Sequence, residues 1–290
     1  MKIDIICAKS DLGLTIDGCD LGPKLISEKI KNNKIDKFCS VEKGNVIKNK
    51  DENNLKKNLN EVNIFNDKLY NIVLNTLNNN KFPITIGGDH SIAIGSALAS
   101  KKVNKNIGII WIDAHLDYNT FDTTITGNLH GLPLAALNGI CKDLTNFFDG
   151  DFYNPQNTVV VGYRAMEPNK EQELNNIKKM GVTVFDNDDI NKYGIDSIMK
   201  KAIEIASDNT NGLHISYDLD IIDAHFAPGV SVPEPNGINL DTAYKIKDIL
   251  INNKNKIKSF DLVEYNPKFD IDNKTLNIAS TILNDIIDNL

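Results

Sequence analysis

The sequence predicts an α/β fold: one domain over residues 1–290, in which helices cover both faces of a mostly parallel β-sheet and so form three layers. Helix-like segments alternate with short strand-like runs, and several of those runs are almost entirely apolar, as at 107–112 and 158–162. Neither an internal repeat nor a linker-like stretch divides the chain. With 290 residues, 41% of them hydrophobic, the chain is long enough for one large core.

The predicted strands are short apolar runs that end in glycine or in polar residues. Continuous apolar strands are typical of parallel sheets, because such strands are buried on both faces. Strands are predicted at residues 1–6, 82–86, 107–112, 158–162, 182–185, 213–217 and 258–263.

The predicted helices carry apolar residues at helical spacing. Residues 63–77, for example, place Ile64, Leu69, Ile72, Val73 and Leu77 in such a pattern. Helices are predicted at residues 24–31, 63–77, 92–99, 170–179, 195–206, 242–251 and 273–289. Residues 41–60 are rich in Asn and Lys and are predicted as a solvated loop that passes into the first long helix.

Composition excludes several classes of function. The formal net charge of -7 argues against nucleic-acid binding, since proteins that bind the phosphate backbone usually carry a basic face. The N-terminus has no signal-peptide pattern and no apolar stretch is long enough to span a membrane, so we expect a cytoplasmic protein. The 4 cysteines form no CxxC pair, and we expect reduced thiols without a shared role.

Acidic and histidine residues cluster where predicted strands end. Asp113, His115 and Asp117 follow the strand at 107–112, and Asp218 and Asp220 follow the strand at 213–217. If these segments stay extended, alternate side chains share a face, and each cluster points toward one place. Ligand sites of open parallel sheets lie beyond the carboxyl ends of the strands, which is where these clusters fall.

Together with His90, these residues make four carboxylates and two imidazoles. Any one carboxylate alone is better explained as a helix cap or turn residue, but the whole set could not share a buried pocket without compensation. Two divalent cations would balance four negative charges, and oxygen ligands with a minority of imidazole favour manganese. Two neighbouring ions can lower the pKa of a shared water and generate hydroxide, so the set predicts a hydrolase.

Four ordered motifs resemble those of the ureohydrolases, the family of arginases, agmatinases and formimidoylglutamases. The resemblance spans almost the whole chain, from the loop at 11–13 to the segment at 264–267, and within the family it is greatest to the arginases. The motifs are Gly87-Gly88-Asp89-His90-Ser91, Asp113-Ala114-His115-Leu116-Asp117, Gly127-Asn128-Leu129-His130-Gly131 and Ser216-Tyr217-Asp218-Leu219-Asp220.

The resemblance implies a metal-ligand set and two further roles. One manganese ion would be held by His90, Asp113, Asp117 and Asp218, and the second by His115, Asp113, Asp218 and Asp220. His130 matches a histidine that moves a proton to the leaving amine. Glu264 matches a glutamate that binds the guanidinium group, which a carboxylate can accept in two hydrogen bonds. Asp117, as a ligand, also belongs to the expected catalytic set.

The resemblance also implies a substrate. Asn119, Thr124 and Thr126 match arginase positions that bind the α-carboxylate of arginine. Glu167 stands where arginases have an aspartate that binds the α-amino group. The chain departs from the arginase pattern at Lys170, where a second acid is expected, and at Val232, where a threonine is expected. Residues 227–231 and 266–270 look more like formimidoylglutamases. The expected reaction is arginine to ornithine and urea, with agmatine or formimidoylglutamate as alternative substrates.

Two other classes are compatible with the same sequence features. Metal-dependent deacetylases share this α/β architecture, and such an amide hydrolase would use one metal. A binding protein that has lost catalysis is the second alternative, although the complete ligand set speaks against it. The resemblance further implies a homo-oligomer, either a trimer or a hexamer.

Overall fold

The protein alternates strands and helices along its whole length, as the computed structural model shows for residues 1–165 and 169–290. The strands are β1 (Ile3–Lys9), β2 (Ile35–Glu42), β3 (Phe82–Gly87), β4 (Gly108–Ile112), β5 (Thr158–Tyr163), β6 (Thr183–Asp186), β7 (Leu213–Asp218) and β8 (Ile257–Val263). The helices are α1 (Gly22–Ser27), α2 (Leu59–Asn78), α3 (Ala93–Asn104), α4 (Pro133–Leu137), α5 (Lys170–Met180), α6 (Asn187–Tyr193), α7 (Ile195–Ala206), α8 (Leu240–Asn252) and α9 (Lys274–Asn289).

The strands form one eight-stranded sheet in the order β2-β1-β3-β8-β7-β4-β5-β6. Every neighbouring pair in it is parallel. This confirms the predicted fold class. The four central strands, β3, β8, β7 and β4, are neighbours in space although α3 to α8 separate them along the chain.

Two apolar cores lie on opposite faces of the sheet. Alternate strand residues divide between them: Ile110 and Ile112 join one core, whereas Ile109 and Trp111 join the other. Helices α1, α7, α8 and α9 contribute to the first core, and α2, α3 and α4 to the second. Burial on both faces explains why the central strands read as continuous apolar runs.

The segment at 41–60, predicted as a solvated loop, is only partly so, and the strand that leads into it was not predicted. Residues 35–42 form the edge strand β2, which was missed because most of its side chains are half-buried or exposed and leave no apolar run. Lys48 is also not solvated, since its side chain is only 5% exposed. Its ammonium group donates to the carbonyls of Leu14 and Ile16 and pairs with Asp11 and Asp17, so it fixes the loop at 11–18.

Other differences are small. The helix predicted at 24–31 begins at Gly22 and ends at Ser27, and the short helices α4 and α6 were not predicted, because each is too short to display a period. None of the helices in the described residues is long and apolar enough to cross a bilayer.

Candidate metal centre and active site

The four neighbouring central strands bring the predicted site residues together. His90 follows β3, Glu264 follows β8, Asp218 ends β7 and Asp113 follows β4. Because all four strands are parallel, their carboxyl ends meet at one edge of the sheet. Residues separated by up to 174 positions are thereby placed in direct contact.

The local reason for this convergence differs from the predicted one. Strand β4 ends at Ile112, and Asp117 has a left-handed backbone with φ of 49°, so residues 113–117 form a bent loop and not an extended segment. Similarly, Asp220 lies in a single 3-10 turn, and its backbone N–H donates to the Asp218 carboxylate at 2.7 Å. The side chains do converge, but turns bring them together and strand alternation does not.

His90 lies at the centre of one group of ligand atoms. Its Nδ1 lies 3.0 Å from Asp113 Oδ2, 3.1 Å from Asp218 Oδ2 and 3.2 Å from Asp117 Oδ2. The ring stacks on Trp111 at 3.9 Å, and its other nitrogen, Nε2, lies 2.8 Å from the Ser216 hydroxyl. Trp111 and Ser216 therefore hold the ring with Nδ1 facing the three carboxylates.

His115 lies in a second group, which shares Asp113 with the first. Its Nδ1 is 2.9 Å from Asp220 Oδ2 and 3.5 Å from Asp113 Oδ1. On the other side of the ring, Nε2 lies 3.5 Å from the Glu234 carboxylate. The ligand atoms of His90, Asp113 and Asp218 lie within 4.8 Å of one another, as do those of Asp113, His115 and Asp220.

The residues present fit divalent cations. The Nδ1 of His90 is buried and makes no hydrogen bond with the described residues, although three carboxylate oxygens surround it. Burial and the neighbouring Asp113 raise the pKa of Asp117 to about 7, which reflects the surplus of negative charge. Burial alone would lower the pKa of His90 and His115, but the facing carboxylates raise it well above its usual range. Metal ions would supply the positive charge that this cluster lacks.

His130 and Glu264 form a contact beside this cluster. The Nδ1 of His130 lies 3.2 Å from Glu264 Oε1, which also accepts the backbone N–H of His90 at 2.8 Å. Burial alone would lower the pKa of His130, but Glu264 raises it to about 9. Burial alone would raise the pKa of Glu264, but His130 lowers it, so the pair is held in its charged form.

The backbone at Glu264 is unusual. Its φ of 67° is left-handed, a conformation that a glutamate rarely adopts. Its N–H donates to the Gly88 carbonyl at 2.9 Å. A Cβ on Gly88 would lie 1.8 Å from the carbonyl oxygen of Ser10, so only glycine permits the close approach of residues 88 and 10.

The loop after Asp117 contains three of the four expected substrate contacts. Asn119 is buried, and its Oδ1 accepts from the Thr123 hydroxyl at 2.9 Å and from Asn169 Nδ2 at 2.6 Å. The hydroxyls of Thr124 and Thr126 accept the backbone N–H groups of residues 127 and 128 at 3.0 and 3.2 Å. The fourth expected contact, Glu167, lies outside the described residues.

Several residues of the site escaped the sequence analysis. Ser216 was quoted in a motif, but its contact with His90 needs the strand register to be known. Asn169 holds the loop through Asn119 and through the carbonyl of Thr123 at 2.9 Å. The guanidinium of Arg164 donates to the carbonyls of Asp220 and Glu234 at 2.6 and 3.1 Å, which ties the loop carrying Glu234 to the cluster. Of these residues, Ser216 alone lay in a quoted motif.

The chain is similar to known proteins over its full length. The sequence model of the arginase family matches residues 1–288. An arginase of Brevibacillus brevis is 35% identical over 98% of this chain and 97% of its own length. A crystal structure of the Bacillus subtilis arginase superposes with a TM-score of 0.89 at 32% identity, covering 99% of this chain and 98% of that one. The Bacillus caldovelox arginase superposes with a TM-score of 0.90 at 31% identity, with the same coverage.

Proposed function

Because the chain belongs to the arginase family, we propose that it is a binuclear manganese hydrolase that converts L-arginine to L-ornithine and urea. The observation that carries the proposal is the pair of buried ligand groups that share Asp113 at one end of the sheet. A shared carboxylate between two such groups favours two ions over one, which argues against the deacetylase alternative. We also propose that residues 1–290 form one domain.

The ligands are divided between the two ions. One ion would be held by His90, Asp113, Asp117 and Asp218, and the other by His115, Asp113, Asp218 and Asp220. Carboxylate oxygens outnumber imidazole nitrogens in both sets, a composition that favours manganese. When bound, the ions supply hydroxide at neutral pH by lowering the pKa of water.

Glu264 binds the guanidinium group of the substrate. Its carboxylate is buried, and the low pKa that His130 gives it keeps it ionised. A guanidinium stays charged at all relevant pH values and offers several N–H donors, one of which the remaining lone pair of Glu264 can accept. A bound cation therefore offsets the free-energy cost of burying the charged Glu264 carboxylate.

His130 donates a proton to the leaving amine. Its Nδ1 is engaged by Glu264, which leaves Nε2 as the atom that can hold and release the proton. With a pKa of about 9 the ring is protonated at neutral pH. In the reaction, the oxygen of water bonds to the guanidino carbon and the bond from that carbon to the amine nitrogen breaks. Water loses two protons and the leaving nitrogen gains two as it becomes an ammonium group, one of them by way of His130.

The amino-acid end of arginine is recognised by the loop after Asp117. The Oδ1 of Asn119 is already occupied by two donors, so its amide nitrogen is the group that meets the α-carboxylate. The hydroxyls of Thr124 and Thr126 act as acceptors within the loop and keep their own hydrogens for the same carboxylate. We assign the α-amino group to Glu167.

A comparison of substrates tests the proposal. The purified protein with manganese is assayed for urea from arginine, agmatine and guanidinobutyrate, and for formamide from formimidoylglutamate. We expect kcat/KM for arginine to exceed the others by at least about tenfold. Agmatine lacks the α-carboxylate, guanidinobutyrate lacks the α-amino group, and formimidoylglutamate lacks the guanidinium. Another preferred substrate would overturn the assignment to arginine, and no product from any of the four would overturn the reaction itself. We also propose that the protein is cytoplasmic and assembles into a trimer or hexamer. Light scattering of the purified protein, which measures its molar mass, tests the assembly.

A further inference from the structure

A buried row of polar side chains lies behind Glu264, on the side away from His130. The thiol of Cys19 is 3.4 Å from Glu264 Oε2 and 3.0 Å from the Ser231 hydroxyl. The Ser231 hydroxyl in turn lies 3.0 Å from Asn266 Nδ2. Cys19 and Asn266 are fully buried and Ser231 is 6% exposed, so water does not compete for these contacts.

Three separate segments build this row. Cys19 begins a 3-10 turn directly after Gly18, whose φ of 126° suits glycine and whose Cβ, if present, would lie 2.4 Å from Asn266 Oδ1. Ser231 is held next to residues 264–266 by an antiparallel bridge between Val230 and Tyr265. Backbone contacts therefore fix the positions of the residues in this row.

The direction of the hydrogen bonds follows from donor chemistry. Asn266 Oδ1 accepts the backbone N–H of Lys268 at 3.1 Å, which identifies the other atom as the Nδ2 donor. Asn266 can only donate to Ser231, so the hydroxyl of Ser231 keeps its own hydrogen for the Cys19 sulfur. Burial, followed by the charge of Glu264, raises the pKa of the Cys19 thiol well above its usual range, so the thiol stays protonated and donates to Glu264.

Glu264 is thereby held at both oxygens. Oε1 accepts from the backbone of His90 and faces the Nδ1 of His130, and Oε2 accepts from Cys19. One lone pair of Oε2 remains for a cationic ligand. A carboxylate that is already fixed in its binding orientation loses less conformational entropy when the ligand arrives, which raises affinity.

We infer that Cys19 is a positioning residue, and that Asn266, Ser231 and Cys19 act in that order to orient the Glu264 carboxylate and so set the affinity of the site for the guanidinium group. This inference rests on the proposed function and deepens it. It also gives a role to Ser231, whose hydroxyl links Asn266 to the thiol.

The test compares Cys19→Ala, Cys19→Ser and the control Cys7→Ala. Cys7 is a buried thiol in β1 that donates to the carbonyl of Pro23, so its replacement removes a similar volume away from the site. We expect Cys19→Ala to raise the KM for arginine about three- to tenfold with kcat within about twofold, since one hydrogen bond to a charged group is lost. Cys19→Ser keeps a donor and should restore KM to within about twofold, and Cys7→Ala should leave KM unchanged.

A second measurement tests the row as a unit. Ser231→Ala alone should raise KM about two- to threefold, but combined with Cys19→Ala it should add nothing, because Ser231 acts through the thiol. Additive effects would overturn the sequential order. An unchanged KM in Cys19→Ala, or an increase that Cys19→Ser does not reverse, would overturn the positioning role. If Cys19→Ala does not fold, Cys19→Ser and Ser231→Ala decide the question: KM should stay within about twofold in the first and rise about two- to threefold in the second.

Binding of guanidinium chloride to the manganese-loaded protein separates this inference from the proposed function. The Kd, measured by calorimetry, should rise in Cys19→Ala by the same factor as KM. If the unaltered protein binds guanidinium with this dependence on Cys19 but releases no urea from arginine, the proposed function fails and the positioning role stands. If it releases urea and the Kd does not depend on Cys19, the positioning role fails and the function stands.

Discussion

Removing the Ser216 hydroxyl should weaken metal binding although Ser216 is not a ligand in the proposed set. The hydroxyl lies 2.8 Å from His90 Nε2, and both residues are buried. With a cation at Nδ1, the proton of the ring sits on Nε2 and needs an acceptor. In Ser216→Ala that N–H is left unpaired at a cost of about 1–3 kcal/mol, or the proton moves to Nδ1 and competes with the metal.

This cost predicts a loss of about 10- to 100-fold in affinity for one ion, since about 1.4 kcal/mol corresponds to tenfold. The assay is titration of the metal-free protein with manganese in competition with a chelator of known affinity. Ser280→Ala is the matched control, because Ser280 is a buried serine whose hydroxyl donates to the Leu276 carbonyl within α9. Equal affinities in Ser216→Ala and the unaltered protein would refute the reasoning that this contact sets the tautomer of His90.

Further predictions concern the metal ligands, His130 and the loop at 11–18. Asp113→Ala should lose both ions and all activity, which metal analysis and a urea assay check; two ions retained would contradict its shared position. His130→Ala should retain both ions while kcat falls by about 10²- to 10⁴-fold, and loss of metal would contradict a role in proton transfer. Chelation of the metal should lower Tm, because the clustered carboxylates then repel one another; an unchanged Tm would count against a buried metal site. Asp11→Asn should flatten the acid side of the Tm–pH profile. Burial alone would raise the pKa of Asp11, but Lys43 and Lys48 lower it, so its stabilisation exists above the ordinary Asp pKa of about 4 and is lost as pH falls below it. An acid limb identical to that of the unaltered protein would contradict this.

The sequence predicted the fold well where burial leaves a pattern. Strands β4, β5 and β7 are buried at every position and appear as apolar runs, whereas the edge strand β2 was missed because most of its side chains are half-buried or exposed and leave no apolar run. The order of strands in the sheet has no signature in the sequence, so the contact between His90 and residues 113–117 could be expected only from the resemblance and from the general rule for parallel sheets.

The candidate site was predictable as a set of residues and not as a geometry. His90, Asp113 and Asp218 were identified from chemistry and motifs, but the left-handed backbone of Asp117 overturns the explanation by strand alternation. The cysteines were expected to share no role, and Cys19 alone carries no signal until the fold places it against Glu264. Contacts of this kind depend on tertiary packing, which local patterns do not encode.

The proposed hydrolysis of L-arginine by a two-ion site is best tested by measuring urea release as manganese is added back to the metal-free protein. We predict no activity without metal and a rise to a plateau at about two manganese ions per chain, as expected for two ions that act together. A plateau at about one ion per chain would contradict the binuclear site. Activity that does not depend on metal would contradict the proposed metal-dependent hydrolysis.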